Sequence, residues 1–280
     1  MLKQRIVILI LFCATLGMAQ PVKKGAEVGV FLGCSYYIGD ISPFGHFNQF
    51  TKPAGGVVFR YNFNPRLAMR GTALIGAVEG DDSFSNSRAQ QQRNQRFKSD
   101  IYELSGQLEF NFLDFEIGND YKPFTPFIFA GLAGFKFNPQ GPVGDTWVDL
   151  QPLGTEGQGL PDGASKRKYK LTQLSIPLGV GIKISISKNM GLSFEWGMRK
   201  TFTDYIDDVS TKYYDPAVLT ARRGNNAGYF SDRSIGTDPN YSNVGRQRGN
   251  PTTKDWYNFS GITLTIKFKD KAKRCPGVYR

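Results

Sequence analysis

The stretch KLTQLSIPLGVGIKISIS, residues 170–187, limits the possible folds more than any other part of the chain. As a block it is apolar enough for a membrane-spanning helix, yet its apolar residues do not follow a helical spacing. Leu174, Ile176, Leu178, Val180, Ile182, Ile184 and Ile186 share one parity; Gln173, Ser175, Pro177, Gly179, Gly181, Lys183 and Ser185 share the other. A repeat of two belongs to a strand, whose successive side chains point to opposite faces. The run exceeds the roughly five or six residues usual in a soluble sheet, and one whole face is aliphatic. Such a strand separates two environments, one of them oily.

The same alternation recurs along the chain. Val28, Val30, Leu32, Cys34, Tyr36 and Ile38 oppose Glu27, Gly29, Gly33 and Ser35, and Val57, Phe59, Tyr61 and Phe63 oppose Arg60 and Asn62. Leu67, Met69, Ala73, Ile75 and Ala77 oppose Arg70 and Thr72; Tyr102, Leu104, Leu108, Phe110 and Phe112 oppose Glu103, Ser105, Gln107, Glu109 and Asn111. Phe127, Phe129, Ala133, Phe135 and Phe137 are read as the apolar face opposite Lys136, and Leu192, Phe194, Trp196 and Met198 as that opposite Glu195, Arg199 and Thr201. Ile262, Leu264, Ile266 and Phe268 oppose Thr263, Thr265 and Lys267, which brings the count to eight strands, an even number.

Charge sharpens the pattern. Glu27, Arg60, Arg70, Glu103, Glu109, Lys136, Lys183, Glu195, Arg199 and Lys267 all fall on the less apolar face of their strands in this reading, and Lys200 at a strand end is the main exception. A charge on the lipid face at mid-membrane costs about 2 to 4 kcal/mol, and an open sheet edge in lipid leaves backbone groups unsatisfied. The expected fold is therefore all-β: an eight-stranded antiparallel transmembrane β-barrel. Eight strands enclose a space that side chains just fill. The expected interior is an ion-paired, solvated plug without a wide pore, and Pro177 predicts a bulge beside Gly179 and Gly181.

Lys3 and Arg5 precede an apolar run from Ile6 to Leu16, followed by Gly17-Met18-Ala19 and Gln20, the layout of a secretory signal cut after Ala19. The expected organisation is a signal peptide over 1–19, the barrel over 20–268 and a tail over 269–280. Removing Lys3 and Arg5 takes the formal charge from +11 to +9, and losing Cys13 leaves Cys34 and Cys275. A basic exported chain has anionic lipid headgroups or an acidic partner nearer at hand than nucleic acid.

Connections alternate in length. Asn64-Pro65 and Ser187 to Asn189 are tight and residues 114–123 intermediate, whereas 39–52, 80–98, 139–168 and 206–255 are long. Short turns face the periplasm in such barrels and long loops face outward, so both termini and the tail KDKAKRCPGVYR are expected in the periplasm. Cys34 then faces lipid and Cys275 lies beyond the far end, too distant to pair. Cys275 is left as an odd thiol, open to a partner or simply free.

Little in the chain suggests catalysis. His46 is the single histidine, in SPFGHFNQF, with no nucleophile elbow nearby. One histidine and two separated cysteines supply no tetrahedral zinc set. Asp204, Asp207 and Asp208 in TDYIDDVS are the only calcium candidates, and turn chemistry or pairing with Arg199 and Lys200 explains them equally well. RAQQQRNQRFK and KRKYK put Arg93, Arg96, Lys98, Lys166, Arg167 and Lys168 at the expected outer rim, where they suit lipopolysaccharide phosphates or merely solvate the loops. No cofactor site is expected.

The stretches GVFLGCSYYIGDISP, FRYNFNPRLAMRG, SDIYELSGQLEFNF, FTPFIFAGLAGFKFNP, WVDLQPLGTEGQG, YKLTQLSIPLGVGIK, EWGMRKTFTDYIDDVS and DWYNFSGITLTIKF together resemble the PorG-type outer-membrane proteins of the Bacteroidetes type IX secretion system. The likeness runs over nearly the whole mature chain and includes the loop motifs DLQPLGTEGQG and RKTFTDYIDDVS. It implies a non-enzymatic outer-membrane component associated with a periplasmic ring of PorK and PorN, in a machine that also secretes adhesins in gliding relatives. The ring would meet the turns, residues 114–123 and the tail, so Asp114, Glu116, Lys273, Arg274 and Cys275 are the expected contacts. A narrow channel or a lipopolysaccharide-contacting surface protein is the alternative.

Overall fold

The computed structural model describes residues 25–42, 45–163, 165, 167–235 and 242–268. The expected signal peptide, the tail with Lys273, Arg274 and Cys275, and Lys166 lie outside the described residues. Strands β1 (Gly25–Ile38), β2 (Lys52–Asn62), β3 (Leu67–Asp81), β4 (Arg96–Asn111), β5 (Phe124–Val143), β6 (Thr146–Asp149), β7 (Thr172–Ser185), β8 (Met190–Thr201) and β9 (Trp256–Lys267) form one antiparallel sheet. Its order is β4-β3-β2-β1-β9-β8-β7-β5-β6, and a β4–β5 ladder closes it into an eight-stranded barrel. β6 stands outside the barrel, pairing only with the extension of β5.

The register fixes the stagger. From Tyr102 the rungs run Tyr102–Ile75, Ile75–Gly55, Gly55–Leu32, Leu32–Ile262, Ile262–Phe194, Phe194–Ile182 and Ile182–Pro126. Pro126 then accepts a hydrogen bond from Phe112 N at 3.0 Å. One circuit therefore climbs from residue 102 to residue 112 of β4, a shear of ten residues (112 − 102), and so tilts the strands against the barrel axis.

The wall has the expected inversion. Leu32, Val57, Ile75, Leu104, Val180 and Ile262 stand exposed on the outside, while Glu27, Arg60, Arg70, Glu103, Glu109, Lys183, Glu195 and Arg199 are buried inside. In water this outer surface would be a continuous apolar patch far beyond what a soluble monomer exposes; in lipid it is the low-energy surface. No helix among the described residues is long and apolar enough to cross a membrane. The chain crosses with strands.

Turn chemistry explains the short end. Asn64 Oδ1 accepts from Arg66 N at 2.8 Å and Leu67 N at 2.7 Å, which closes the β2–β3 connection in four residues. The opposite end carries the long connections and three short helices: α1 (Arg88–Arg93), α2 (Pro216–Arg223) and α3 (Asn225–Ser231). α2 starts at Asp215, whose carboxylate accepts from Ala217 N and Val218 N, with Pro216 in the first turn.

Three sequence expectations are corrected. First, the parity of β5 is the reverse of that expected: Phe127, Phe129, Ala133, Phe135 and Phe137 are buried in the lumen, whereas Ile128, Leu132 and Lys136 face outward. The aromatic rings fit inside because their partners on β7 are Gly181 opposite Phe127 and Gly179 opposite Phe129. A Cβ at Gly181 would sit 2.6 Å from the Phe127 ring, and one at Gly179 2.5 Å from Phe129. Second, Pro177 makes no bulge. The β5–β7 ladder lapses between Ala130–Leu178 and Ala133–Ser175 but resumes in the same register, so the missing donor of proline is absorbed by a local gap. Third, the plug is packed rather than solvated: Arg60, Arg70, Lys183 and Arg199 are among the most buried side chains of the molecule.

Candidate functional site

The lumen contains four cations and four carboxylates in contact. Arg60 Nη1 donates to Glu27 at 2.8 Å and its Nε lies 3.1 Å from Glu109. Lys183 donates to Glu109 and, at 2.9 Å, to Asn111 Oδ1. Arg70 pairs with Glu195 at 2.6 Å, and Arg199 with Glu103 at 3.0 Å. Aromatic rings fill what remains: the Arg70 guanidinium is 4.0 Å from the Phe129 ring centre and Lys183 Nζ is 4.7 Å from that of Phe127. Ion pairs of this kind, at zero net charge, close the passage to solvent.

Above the lumen the two loop motifs meet. Glu156, from DLQPLGTEGQG, is buried and accepts from Ser210 N at 2.8 Å, Thr211 N at 3.1 Å, Thr211 Oγ1 at 2.7 Å and Arg248 Nη1 at 3.0 Å. Asp208, from TDYIDDVS, accepts from Thr155 Oγ1 at 2.5 Å and Tyr169 Oη at 2.7 Å. Arg93 ties in the β3–β4 loop: its guanidinium donates twice to Asp82 and also to the Asp40 and Arg248 carbonyls. All four long connections are thus locked into one cap. Sequence reading found the motifs but not their mutual contact, because hydrogen bonding between distant loops leaves no periodic signal.

The aspartates are held apart. Asp204 accepts from Ser210 Oγ at 2.6 Å, Asp207 from Tyr37 Oη at 2.5 Å, and Asp208 from the donors just named. Among the described residues no group of three His, Cys, Asp or Glu side chains converges as metal ligands. Burial pushes the Asp204 and Asp208 carboxyls up to about 6. Asp255 Oδ1 lies 3.2 Å from the same Tyr37 Oη that donates to Asp207; burial first, then neighbouring carboxylates, raise both aspartates well above the usual range.

His46 lies against the outside of the barrel, its Nδ1 3.0 Å from Tyr36 Oη, which also accepts from Trp196 Nε1 at 2.9 Å. Its neighbours are thus aromatic residues of the upper wall. At the short-turn end, Asp114 pairs with Arg66 at 2.8 Å and Lys122 at 2.9 Å; the Arg66 hydrogen bond, then that of Lys122, holds its carboxyl below the usual range. Glu116 pairs with Lys267 at 3.1 Å. Of the expected phosphate contacts, Arg93 is corrected: it is buried and its guanidinium is committed to Asp82 and two carbonyls. Arg96 and Lys98 reach the outer surface around Trp147, Arg167 is exposed, and exposed Lys168 donates to Pro152 O at 2.6 Å.

Lipid-facing walls, a sealed lumen and a locked cap define the chain as a small transmembrane β-barrel. It belongs to the family described as "Domain of unknown function (DUF6089)", whose model matches residues 3–227. Comparison with the curated proteins finds no match. Solved structures similar to it include the N-terminal barrel domain of Pseudomonas aeruginosa OprF, at 10% identity and TM-score 0.37 over 89% of this chain and 100% of that one. Ail of Yersinia pestis matches at 8% identity and TM-score 0.40, over 88% and 100% of the two chains. Neisserial surface protein A matches at 10% and 0.40, over 87% and 97%. At these scores the likenesses add nothing to the barrel already seen in the register.

Proposed function

We propose that the chain is an integral outer-membrane structural component of a type IX-type protein secretion machine, with its long loops outside and its short turns and termini in the periplasm. In this reading it docks a PorK/PorN-like periplasmic ring through Asp114, Glu116 and the Lys273, Arg274 and Cys275 tail. The observation that carries the reading is the closed, charge-balanced lumen beneath a locked cap: it supports surfaces to bind through rather than a passage or a reaction centre. The motif resemblance supplies the particular machine. Purification in mild detergent under non-reducing conditions, with and without Cys275→Ser, tests it. Ring subunits are expected to co-purify; a wild-type chain eluting alone refutes the anchor. Planar-bilayer recordings are expected to lack steps of appreciable conductance.

A further inference from the structure

The outward face of β4 and β5 is unlike the rest of the wall. The observed parity of β5 puts Lys136 on the lipid side, in register with Tyr102. Four residues further toward the long loops, Lys98 faces the same way, its Nζ 4.3 Å from the centre of the Trp147 ring. The Arg96 guanidinium lies 5.4 Å from that ring and is shared with Glu79 and Asp81. Neither Lys98 nor Lys136 has a salt bridge to a described carboxylate. Exposed Asp100 stands on this face between them, and exposed Asp149 is held beside it by Asn138 Nδ2 at 2.9 Å and Gln140 Nε2 at 2.7 Å, so the face is balanced in charge overall while the two ammonium groups have no direct ion pair.

Directly below Lys136 the wall is bare. Leu104 pairs with Gly134 and Gly106 with Leu132, and a Cβ at either glycine would meet nothing within 4 Å. Leu104 and Leu132, 71% and 70% exposed, are the two most prominent aliphatic side chains of the barrel wall. The two bare positions between these ridges form a shallow apolar trough, leading up to the lysine at the level of the Tyr102 ring.

We propose that this face seats one membrane lipid whose phosphate headgroup carries net negative charge, with that phosphate on Lys98 and Lys136 beside Trp147 and an acyl chain over Gly106 and Gly134. Ammonium groups at the boundary of an apolar surface attract lipid-borne phosphate, and lysine stems extend along hydrocarbon to reach it. The trough continues the lipid-facing wall, so the occupant is a lipid rather than a free anion. The seat rests on the placement proposed above, with the long-loop end at the outer surface.

The test uses the full chain in detergent, with bound lipid counted by native mass spectrometry after adding diphosphorylated lipid A, phosphatidylcholine or inorganic phosphate. Wild type is expected to retain one lipid A and to prefer it to phosphatidylcholine. Lys98→Ala with Lys136→Ala is expected to weaken retention about thirtyfold. Gly134→Leu, which has open space to fill, is expected to weaken it about fivefold by occupying the trough. Lys188→Ala, which removes one positive charge at the short-turn end, should leave it unchanged. Retention that survives the double variant, equal retention of phosphatidylcholine, or occupancy by inorganic phosphate alone would overturn the seat. Flotation with phosphatidylcholine vesicles separates this from the membrane reading: chains that float yet show no preference refute the seat, whereas chains that never float refute the membrane placement itself.

Discussion

Glu109 offers the most demanding test of the packed interior. Its carboxylate is buried and meets three cations: Lys183, Arg60 at 3.1 Å and Arg70 at 3.7 Å. In Glu109→Gln, Arg60 keeps Glu27 at 2.8 Å and Arg70 keeps Glu195 at 2.6 Å, but Lys183 keeps only the neutral Asn111 at 2.9 Å. The lumen set of four cations and four anions then holds three anions, a net charge of 4 − 3 = +1 away from water. Leaving a buried charge without its partner costs about 3 to 5 kcal/mol. Lys183→Met removes the stranded ammonium at similar length, so the double variant is expected within about 1.5 kcal/mol of wild type, a coupling of roughly 2 kcal/mol or more. Urea unfolding from phosphatidylcholine vesicles, followed by tryptophan fluorescence, measures all four corners of the cycle. A single-variant cost below about 1 kcal/mol, or a double variant no better than the sum of the two singles, would refute the coupled network.

Further expectations address the cap and the wall. Glu156→Gln keeps the shape of the side chain but weakens the bonds from Ser210, Thr211 and Arg248, so protease cleavage within residues 202–255 is expected to accelerate at least tenfold while the barrel stays resistant. Gly179→Ala places a Cβ against the Phe129 ring and the neighbouring strand's backbone, and is expected to lower stability by about 1 to 3 kcal/mol in the same urea assay. Cap stability is expected to depend on pH through Asp204 and Asp208, both near 6 when folded and near the ordinary carboxylate value when unfolded. The folded state then binds more protons from roughly pH 4 upward, and buried Asp207 and Asp255, raised well above the usual range, extend the same trend, so cap stability falls as pH rises from about 4 to 7. Hydrogen exchange of the loop amides at pH 5 and 7, corrected for intrinsic rate, should show weaker protection at pH 7; stronger protection at pH 7 would contradict the assignment.

The barrel was legible from sequence wherever one face of a strand was aliphatic and the other charged, as in β4 and β7, because lipid and lumen demand opposite chemistry at alternate positions. β5 was not. Its Phe127, Phe129, Phe135 and Phe137 outweigh Ile128 and Leu132 on any hydrophobic count, yet a narrow lumen needs bulk as much as charge. The signal that settles it lies on another strand: Gly179 and Gly181 vacate the space those rings occupy. Lys136 then reads as a cation reaching for headgroups rather than as a member of the plug. Pro177 misled for a related reason, since a ladder can drop two rungs without changing register. The cap was beyond reach because Glu156 and Arg248, its central pair, stand 92 positions apart in irregular chain. Buried Arg93 looked like surface charge for the same reason: Asp82, its partner, gives no warning that it turns inward.

The Glu156–Arg248 contact also ties the cap to the seam of the barrel. Arg248 belongs to the final long connection, immediately ahead of the strand that pairs with β1 and zips the cylinder shut. Without that staple, Glu156 and the Arg93 guanidinium each lose a partner from the final connection. An antibody or phage that recognises only the finished crown would therefore report whether the seam beneath it has closed.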